Sequence, residues 1–154
     1  MGARMISIAE EPPDQPEIHR FLRLGDERSA SLYPAESNHA LNLFALLAAN
    51  IRFFTARADG KPIGCGGYAR AGNGFGELKR LFVDPLARGR GAGGKLIAAI
   101  EQAAKADGLA CMQLETGVRN FAALRLYRRF DYRERGPFGN YKPDPLSVFM
   151  ERRL

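Results

Sequence analysis

The chain has 154 residues, of which 45% are hydrophobic and 26% are charged, as in an average globular protein. This length and composition predict one domain spanning residues 1–154 with a core of its own, and they argue against a disordered or collagen-like chain. Lys and Arg number 23 against 17 Asp and Glu, so the net charge is +6 and the anionic partners to consider are nucleic acid, a membrane surface and a phosphorylated cofactor.

The sequence predicts no membrane segment, no disulfide bond and no metal site. No apolar run approaches the roughly 18 residues that suggest a membrane span, and residues 1–10 lack the apolar centre of a signal peptide. We therefore expect a cytoplasmic protein that does not bind membranes. Cys65 and Cys111 are far apart, and His19 and His39 lie near neither of them, so we expect no disulfide and no metal site.

The N-terminal third predicts two helices joined by a loop that contains Tyr33 and Pro34. Residues 18–24 favour a short helix, and Ser37 or Asn38 can cap a second one. The apolar face of that second helix follows the spacing i, i+3, i+4, i+7 and consists of Leu41, Phe44, Ala45 and Ala48.

An antiparallel meander is predicted next. Residues 51–58 are rich in β-formers, Asp59-Gly60 is a strong hairpin signal, and residues 62–70 resume as a glycine-rich strand. Residues 77–83 form the third strand, which ends at Asp84-Pro85 because proline cannot donate to the ladder. Strand alternation predicts that one face carries Glu77, Lys79, Leu81 and Val83.

The remaining elements predict a βαβ arrangement. Gly108 ends a helix as a left-handed cap, residues 110–116 form a strand, Asn120 begins another helix, and residues 147–151 form the final strand. The helix that ends at Gly108 should bury Leu96, Ala99, Ile100 and Ala103. The helix that begins at Asn120 should bury Ala123, Leu126, Tyr127 and Phe130. The full order, α α β β β α β α β β, predicts an α/β fold in which the meander continues into a βαβ unit.

The stretch RGRGAGGKLIAAI, residues 88–100, places four glycines and three cations at the start of a helix. A helix N-terminus attracts anions because its first N–H groups lack partners, and glycines let phosphates approach the backbone. The P-loop pattern fails because no Ser or Thr follows Lys95, and GxGxxG fits Gly89 to Gly94 in letters but not in its antiparallel context. We expect the glycines to clear space for phosphates; a flexible turn with solvated charges is the alternative.

Two motifs carry a family resemblance. The run RLFVDPLARGRGAGGKLI resembles motif A of the GNAT superfamily, the acyl-CoA-dependent N-acyltransferases, with Arg88, Gly91 and Gly93 in the signature [RQ]xxGx[GA]. About thirty residues further on, NFAALRLYRRFDY resembles the family's later motif, with Asp131 where glycine is usual. The resemblance covers residues 51–154.

This resemblance implies a fold and a donor. The fold is α/β, with a central, mixed, mostly antiparallel sheet of six to seven strands, flanked by about four helices and splayed between the fourth and fifth strands. The donor is acetyl-CoA, used without a metal, with its pyrophosphate on the loop amides and its pantetheine arm between the splayed strands. The implied contacts are Leu81, Phe82, Val83, Arg88, Gly89, Arg90, Gly91, Ala92, Gly93, Gly94, Lys95, Asn120 and Tyr127. Asn120 as a plain helix cap is the alternative to its cofactor role.

The resemblance also implies roles in the chemistry. Tyr127 would protonate the departing thiolate, with packing as its alternative role. Glu77 would be the base; the alternatives are a solvated edge-strand glutamate, an ion pair to Lys79 or Arg80, and an ordered-water base. The backbone N–H of Val83 would polarise the thioester carbonyl. Both cysteines fall in predicted strands, which favours direct transfer in a ternary complex over an acyl-enzyme.

The acceptor site of the family lies between the loop after the first helix and the turn before the last strand. The residues placed there are Tyr33, Glu36, His39, Phe138 and Tyr141, although Glu36 also suits the first turn of a helix. We expect an N-acetyltransferase acting on a primary amine of a small molecule or amino acid. The alternatives are a non-catalytic acyl-CoA-binding module and a nucleic-acid-binding protein, the latter disfavoured by dispersed cations. The family is often dimeric, which leaves a homodimer open.

Overall fold

A computed structural model describes residues 5–154; residues 1–4 of the segment tested for a signal peptide lie outside the described residues. One sheet has the strand order β1-β2-β3-β4-β5-β7-β6. Its strands are β1 (Ile6–Glu10), β2 (Ile51–Ala58), β3 (Lys61–Arg70), β4 (Phe75–Val83), β5 (Cys111–Gly117), β6 (Arg133–Arg135) and β7 (Ser147–Arg153). The α-helices are α1 (Pro16–Leu32), α2 (Leu43–Leu46), α3 (Ala92–Ala106) and α4 (Phe121–Arg129). The predicted fold class is confirmed.

The sheet splits between β4 and β5. All other neighbouring strands are antiparallel, whereas β4 and β5 are parallel and pair only from Phe75↔Cys111 to Glu77↔Gln113. Beyond Glu77 the two strands separate, so within residues 5–154 the rest of β4 has no strand partner on that side. The predicted splay is confirmed, and it opens a cleft through the sheet.

A β-bulge at Arg80 changes the faces of β4. Arg80 has a φ of +55°, and the pairing with β3 shifts between Cys65 and Gly67. Leu78 is buried in the core under α3, so Glu77 and Lys79 face the opposite side of the sheet. Because a bulge adds one residue, Leu81 and Val83 also pack against the α3 core. The prediction that Glu77, Lys79, Leu81 and Val83 share one face is therefore wrong.

Two hydrophobic cores lie on opposite faces of the sheet. The core under α3 and α4 is the larger one, and the second packs α1 against the sheet through Ile18, Phe21 and Leu22. On α3 the fully buried positions are Leu96, Ile97, Ile100 and Ala104. Ala99 and Ala103, predicted to be buried, are only partly so, because the buried stripe runs through Ile97 and Ala104 instead. On α4 the buried residues are Leu124 and Tyr127, while Ala123, Leu126 and Phe130 are half-buried.

The N-terminal elements differ most from the prediction. Helix α1 continues to Leu32 instead of ending at residue 24, and α2 is a single turn capped by Asn42, whose Oδ1 accepts from the N–H of Ala45 at 2.9 Å. Ser37 and Asn38 therefore cap no α-helix. Strand β1 is absent from the predicted element order and is stabilised by pairing with β2. Within residues 5–154, no helix is both long and apolar enough to cross a membrane.

Candidate active site

The splay between β4 and β5 forms a cleft of about 560 Å³. It is one continuous space, and it is lined by residues from α1, β4, β5, α4 and the segment 88–94, which we call the glycine-rich turn. The predicted site residues that line it are Tyr33, His39, Leu81, Phe82, Val83, Arg88, Gly89, Gly91, Ala92, Gly93, Gly94, Asn120 and Tyr127. The predicted site residues outside the lining are Glu36, Glu77, Arg90, Lys95, Phe138 and Tyr141.

The glycine-rich turn leads directly into helix α3. Asp84 caps the short 3₁₀ turn Pro85–Ala87 and is held by Arg20 of α1 at 2.6 Å. Gly91 is the N-cap of α3 with a φ of +80°, and no side chain caps the helix. A Cβ at Gly91 would meet no protein atom within 4 Å. The first N–H groups of α3 are thus free of a side-chain cap at the cleft, as an anion site requires.

The next two glycines serve helix packing. A Cβ on Gly93 would lie 2.9 Å from Leu126 Cδ2, and one on Gly94 would lie 3.0 Å from Phe130 Cζ. Both positions allow α4 to approach the first turn of α3. The expectation that all four glycines clear space for phosphates is therefore corrected, because the space beside Gly93 and Gly94 is filled by α4.

This difference predicts separate effects for Gly91→Val and Gly93→Val. Valine at Gly91 places its side chain in the cleft, so we expect at least a tenfold loss of CoA affinity by calorimetry. Gly108→Val is the matched control, because Gly108 has a similar φ of +84° at the other end of α3. Gly93→Val should lower stability by about 1–3 kcal/mol through overpacking against Leu126. Equal CoA affinities of the Gly91 and Gly108 variants would remove the turn from the site.

Tyr127 lies at the junction of the cleft and the α3 core. Its side chain is 7% exposed, and its ring centroid lies 5.9 Å from that of Tyr132. Its hydroxyl has no hydrogen-bond partner in the described part of the chain. Burial, and to a lesser degree the charge of Glu115, raises the pKa of Tyr127, so the phenol is protonated at neutral pH.

Glu77 is engaged in an ion pair beside the cleft. Its Oε2 lies 2.8 Å from Lys79 Nζ and accepts from the Tyr141 hydroxyl at 2.6 Å. Lys79 also donates to that hydroxyl at 2.8 Å. The ion pair with Lys79 that the sequence leaves open for Glu77 is thus present, while the alternative partner Arg80 binds Asp26 instead.

Glu115 is a cleft carboxylate that the sequence prediction missed. It follows the last β4–β5 pair by two residues on the same face as Gln113, and it lines the cleft. Its Oε2 accepts from the Ser147 hydroxyl at 2.8 Å. Burial raises the pKa of Glu115 above its ordinary value, although Ser147, His39 and Lys79 oppose this. Its position just past the end of the strand pairing is the signal that points to it.

Tyr33 and Asn120 join the end of α1 to the start of α4. The Tyr33 hydroxyl accepts from the N–H of Arg119 at 2.9 Å and donates to Asn120 Oδ1 at 3.4 Å. Asn120 Nδ2 donates to Thr116 Oγ1 at 3.1 Å, and its side chain makes no cap hydrogen bond. Asn120 thus occupies the N-cap position of α4, as the helix-cap alternative expects, but its side chain bonds Tyr33 and Thr116 and makes no cap hydrogen bond.

The other predicted acceptor residues lie in three different environments: the cleft wall, the protein interior and the exposed surface. His39 lines the cleft, and Tyr141 packs edge-on against it with centroids 5.1 Å apart. Phe138 is buried in edge contacts with Tyr141 and Phe149. Glu36 is exposed in the 3₁₀ turn Ala35–Ser37, so its predicted α-helical first turn is not formed.

Comparison with known proteins agrees with this geometry. The family model described as "Acetyltransferase (GNAT) family" matches residues 6–132. The chain is 46% identical over 150 residues to a protein of Azospirillum brasilense named IAA acetyltransferase, covering 97% of this chain and 98% of that protein.

Two solved structures share the fold. One, from Klebsiella pneumoniae subsp. pneumoniae and assigned as an acyl-CoA N-acyltransferase, has a TM-score of 0.83 at 34% identity and covers 97% of this chain and 98% of its own. The other, a GNAT family acetyltransferase from Elizabethkingia anophelis with acetyl-CoA bound, has a TM-score of 0.73 at 19% identity, with 97% and 98% coverage. The chain belongs to the GNAT family of acetyltransferases.

Proposed function

We propose that the protein is an acetyl-CoA-dependent N-acetyltransferase that acts directly on a primary amine of a small molecule or amino acid. The observation that carries this proposal is the single cleft through the splayed sheet. The uncapped start of α3 lies at this cleft, and the carboxylate of Glu115 and the unpartnered phenol of Tyr127 both line it. An anionic donor, a base and a proton donor can thus meet in one space.

The donor side is formed by β4 and the turn before α3. The start of α3 and Arg88 suit the pyrophosphate, since both present positive charge to the cleft. On the side facing β5, the edge of β4 beyond Glu77 is paired with no strand in the described part of the chain, and it suits the amides of the pantetheine arm. The N–H of Val83 would polarise the thioester carbonyl. The Elizabethkingia relative, solved with acetyl-CoA, supports the choice of donor.

The transfer needs two proton movements. The acceptor arrives as an ammonium, and Glu115, directly or through water, removes one proton to free the amine. The amine nitrogen then attacks the acetyl carbonyl carbon, the C–N bond forms and the C–S bond breaks. Tyr127 protonates the departing thiolate, and the second proton lost from nitrogen restores the phenol.

Glu115 suits the role of base better than Glu77. Glu77 already neutralises Lys79 and accepts from Tyr141, whereas Glu115 is held by a neutral Ser147 hydroxyl and lines the cleft. A carboxylate with a raised pKa is also a stronger base. We therefore assign the base to Glu115.

Direct transfer is favoured over a cysteine acyl-enzyme. Both cysteines are buried, and burial raises the pKa of Cys65 to about 12 and that of Cys111 to about 11. The thiolate, which is the nucleophilic form, is therefore scarce at neutral pH. Neither cysteine lines the cleft.

The test is thiol release from acetyl-CoA across a panel of amines. The panel contains amino acids, aromatic amines and polyamines. IAA, which is not a primary amine, is assayed beside the panel because the relative from A. brasilense is named for it. We expect thiol release that depends on the acceptor, with a product about 42 Da heavier by mass spectrometry, which is the net gain when an acetyl group replaces one hydrogen on nitrogen. Tight CoA binding without turnover of any acceptor would instead indicate the non-catalytic acyl-CoA-binding module.

A further inference from the structure

We infer that the acceptor carries a carboxylate beside its amine and that Arg28 of helix α1 binds this carboxylate. The inference rests on the proposed function and narrows the acceptor to amino acids. It starts from an arginine that lines the cleft and that the chemistry above leaves unused.

Helix α1 carries Arg28 across the opening between β4 and β5. Gly25 lies against β4, where its Cβ would be 3.8 Å from the Phe82 ring. Tyr33 lies against β5, where its ring occupies the space beside Gly117. Arg28 is three residues after the first contact and five before the second, about 4.5 Å and 7.5 Å along the helix axis. The guanidinium is thus carried over the cleft between the two separated strands.

Arg28 has no partner among residues 5–154. Its side chain makes neither an ion pair nor a hydrogen bond there, in contrast to Arg80, which binds Asp26 and the carbonyl of Leu22. Lys79 is neutralised by Glu77. The remaining cleft cations, Arg88 and Arg129, belong to the glycine-rich turn and the last turn of α4, on the donor side.

The acceptor side of the cleft, which is the part opposite the donor side, carries a negative and a positive group. These match the ammonium and the carboxylate of a zwitterion. Among the described residues that line the cleft, Glu115 is the one carboxylate. Arg28 is the acceptor-side cation that forms no ion pair or hydrogen bond there; Arg88 and Arg129 likewise form none, but they lie on the donor side. An ammonium at Glu115 loses its proton and attacks the thioester of acetyl-CoA as described above. A carboxylate on the same molecule forms a charge-assisted, bidentate hydrogen bond with a guanidinium, which suits Arg28.

The experiment compares amino acids with their own α-carboxamides, which keep the amine and the side chain but lack the negative charge. Initial rates are measured for the wild type, Arg28→Ala, Arg28→Lys and the matched control Arg23→Ala. Arg23 is exposed on the same helix but does not line the cleft. The wild type should prefer the acid of at least one pair.

Arg28→Ala should lower kcat/KM for that acid about 10- to 100-fold and leave the amide rate and the KM for acetyl-CoA unchanged. Arg28→Lys should recover part of the loss, because lysine keeps the positive charge but lacks the planar guanidinium that donates two parallel hydrogen bonds to a carboxylate. Arg23→Ala should behave as the wild type.

Several results would overturn the inference while leaving the acetyltransferase in place. These are equal use of acids and amides by the wild type, an equal loss for both in Arg28→Ala, and a raised KM for acetyl-CoA, which would move Arg28 to the donor. If no acceptor releases thiol, the proposed function fails, and calorimetry of amino acids on the CoA-loaded protein then decides the inference. Binding that Arg28→Ala abolishes supports it, and absent or unaffected binding overturns it.

Discussion

Tyr127→Phe is expected to lower kcat about 100-fold and leave the KM for acetyl-CoA nearly unchanged. The phenylalanine keeps the buried ring and its packing, so the variant removes only the proton donor for the departing thiolate. The hydroxyl makes no hydrogen bond within residues 5–154, so its removal breaks no structural contact there. Steady-state kinetics with the best acceptor of the panel measure the effect.

Tyr132→Phe is the matched control for this variant. Tyr132 is also buried and packs against Tyr127, but it does not line the cleft. We expect it to retain wild-type kcat. A wild-type rate in Tyr127→Phe, or an equal loss in both variants, would assign Tyr127 to the core instead of the chemistry.

Glu115→Gln is expected to lower kcat/KM about 100-fold at neutral pH, because the amide cannot accept the proton of the ammonium. In the wild type the rate should rise with pH as Glu115 ionises. Since burial raises its pKa, this rise lies above the range of an ordinary glutamate. In Glu115→Gln, the rise of kcat/KM with pH that follows ionisation of Glu115 should disappear. The rise that follows deprotonation of the free amine should remain.

Two other glutamates make this test selective. Glu36→Gln is the control, because Glu36 is exposed and outside the cleft lining, and it should leave the profile unchanged. Glu77→Gln breaks the ion pair with Lys79 and should reduce the rate far less than Glu115→Gln. If the pH limb disappears in the Glu77 variant instead, the base belongs to Glu77.

The local motifs of the meander and of the turn before α3 could be predicted from the sequence. The Asp59-Gly60 hairpin, the end of β4 at Asp84-Pro85 and the start of α3 after Gly91 all follow from turn chemistry and apolar periodicity. Each of these signals spans only a few consecutive residues, so a single sequence contains it in full.

The faces of β4 could not be predicted, because the bulge depends on distant contacts. Arg80 adopts a positive φ while its guanidinium binds Asp26 and the carbonyl of Leu22 on α1. Nothing in ELKRLFV indicates such a conformation, since arginine rarely has a positive φ. Strict alternation therefore misplaces Leu81 and Val83.

Glu115 and the length of α1 were missed for a related reason. The role of Glu115 depends on where β5 stops pairing with β4, and that register is set by the whole sheet. The second half of α1 contains Gly25 and several polar residues, so its periodicity is weak. Contacts of Arg80 with Leu22 and Asp26, and of Tyr33 with Arg119, support it there.

The contact between the first turn of α3 and helix α4 has a consequence for how relatives of this enzyme diverge. Because Gly93 meets Leu126 and Gly94 meets Phe130, the turn proposed to hold the phosphates and the helix that carries the proposed proton donor pack directly against each other. The proposed acceptor wall comes mostly from other elements, namely α1, residues 37–40 and Leu146. It touches the donor half through the Tyr33–Asn120 and Arg20–Asp84 hydrogen bonds. Under the proposed function, relatives can therefore differ in the amine they accept through substitutions in this wall, away from those two contacts, while the packing of the donor half is kept.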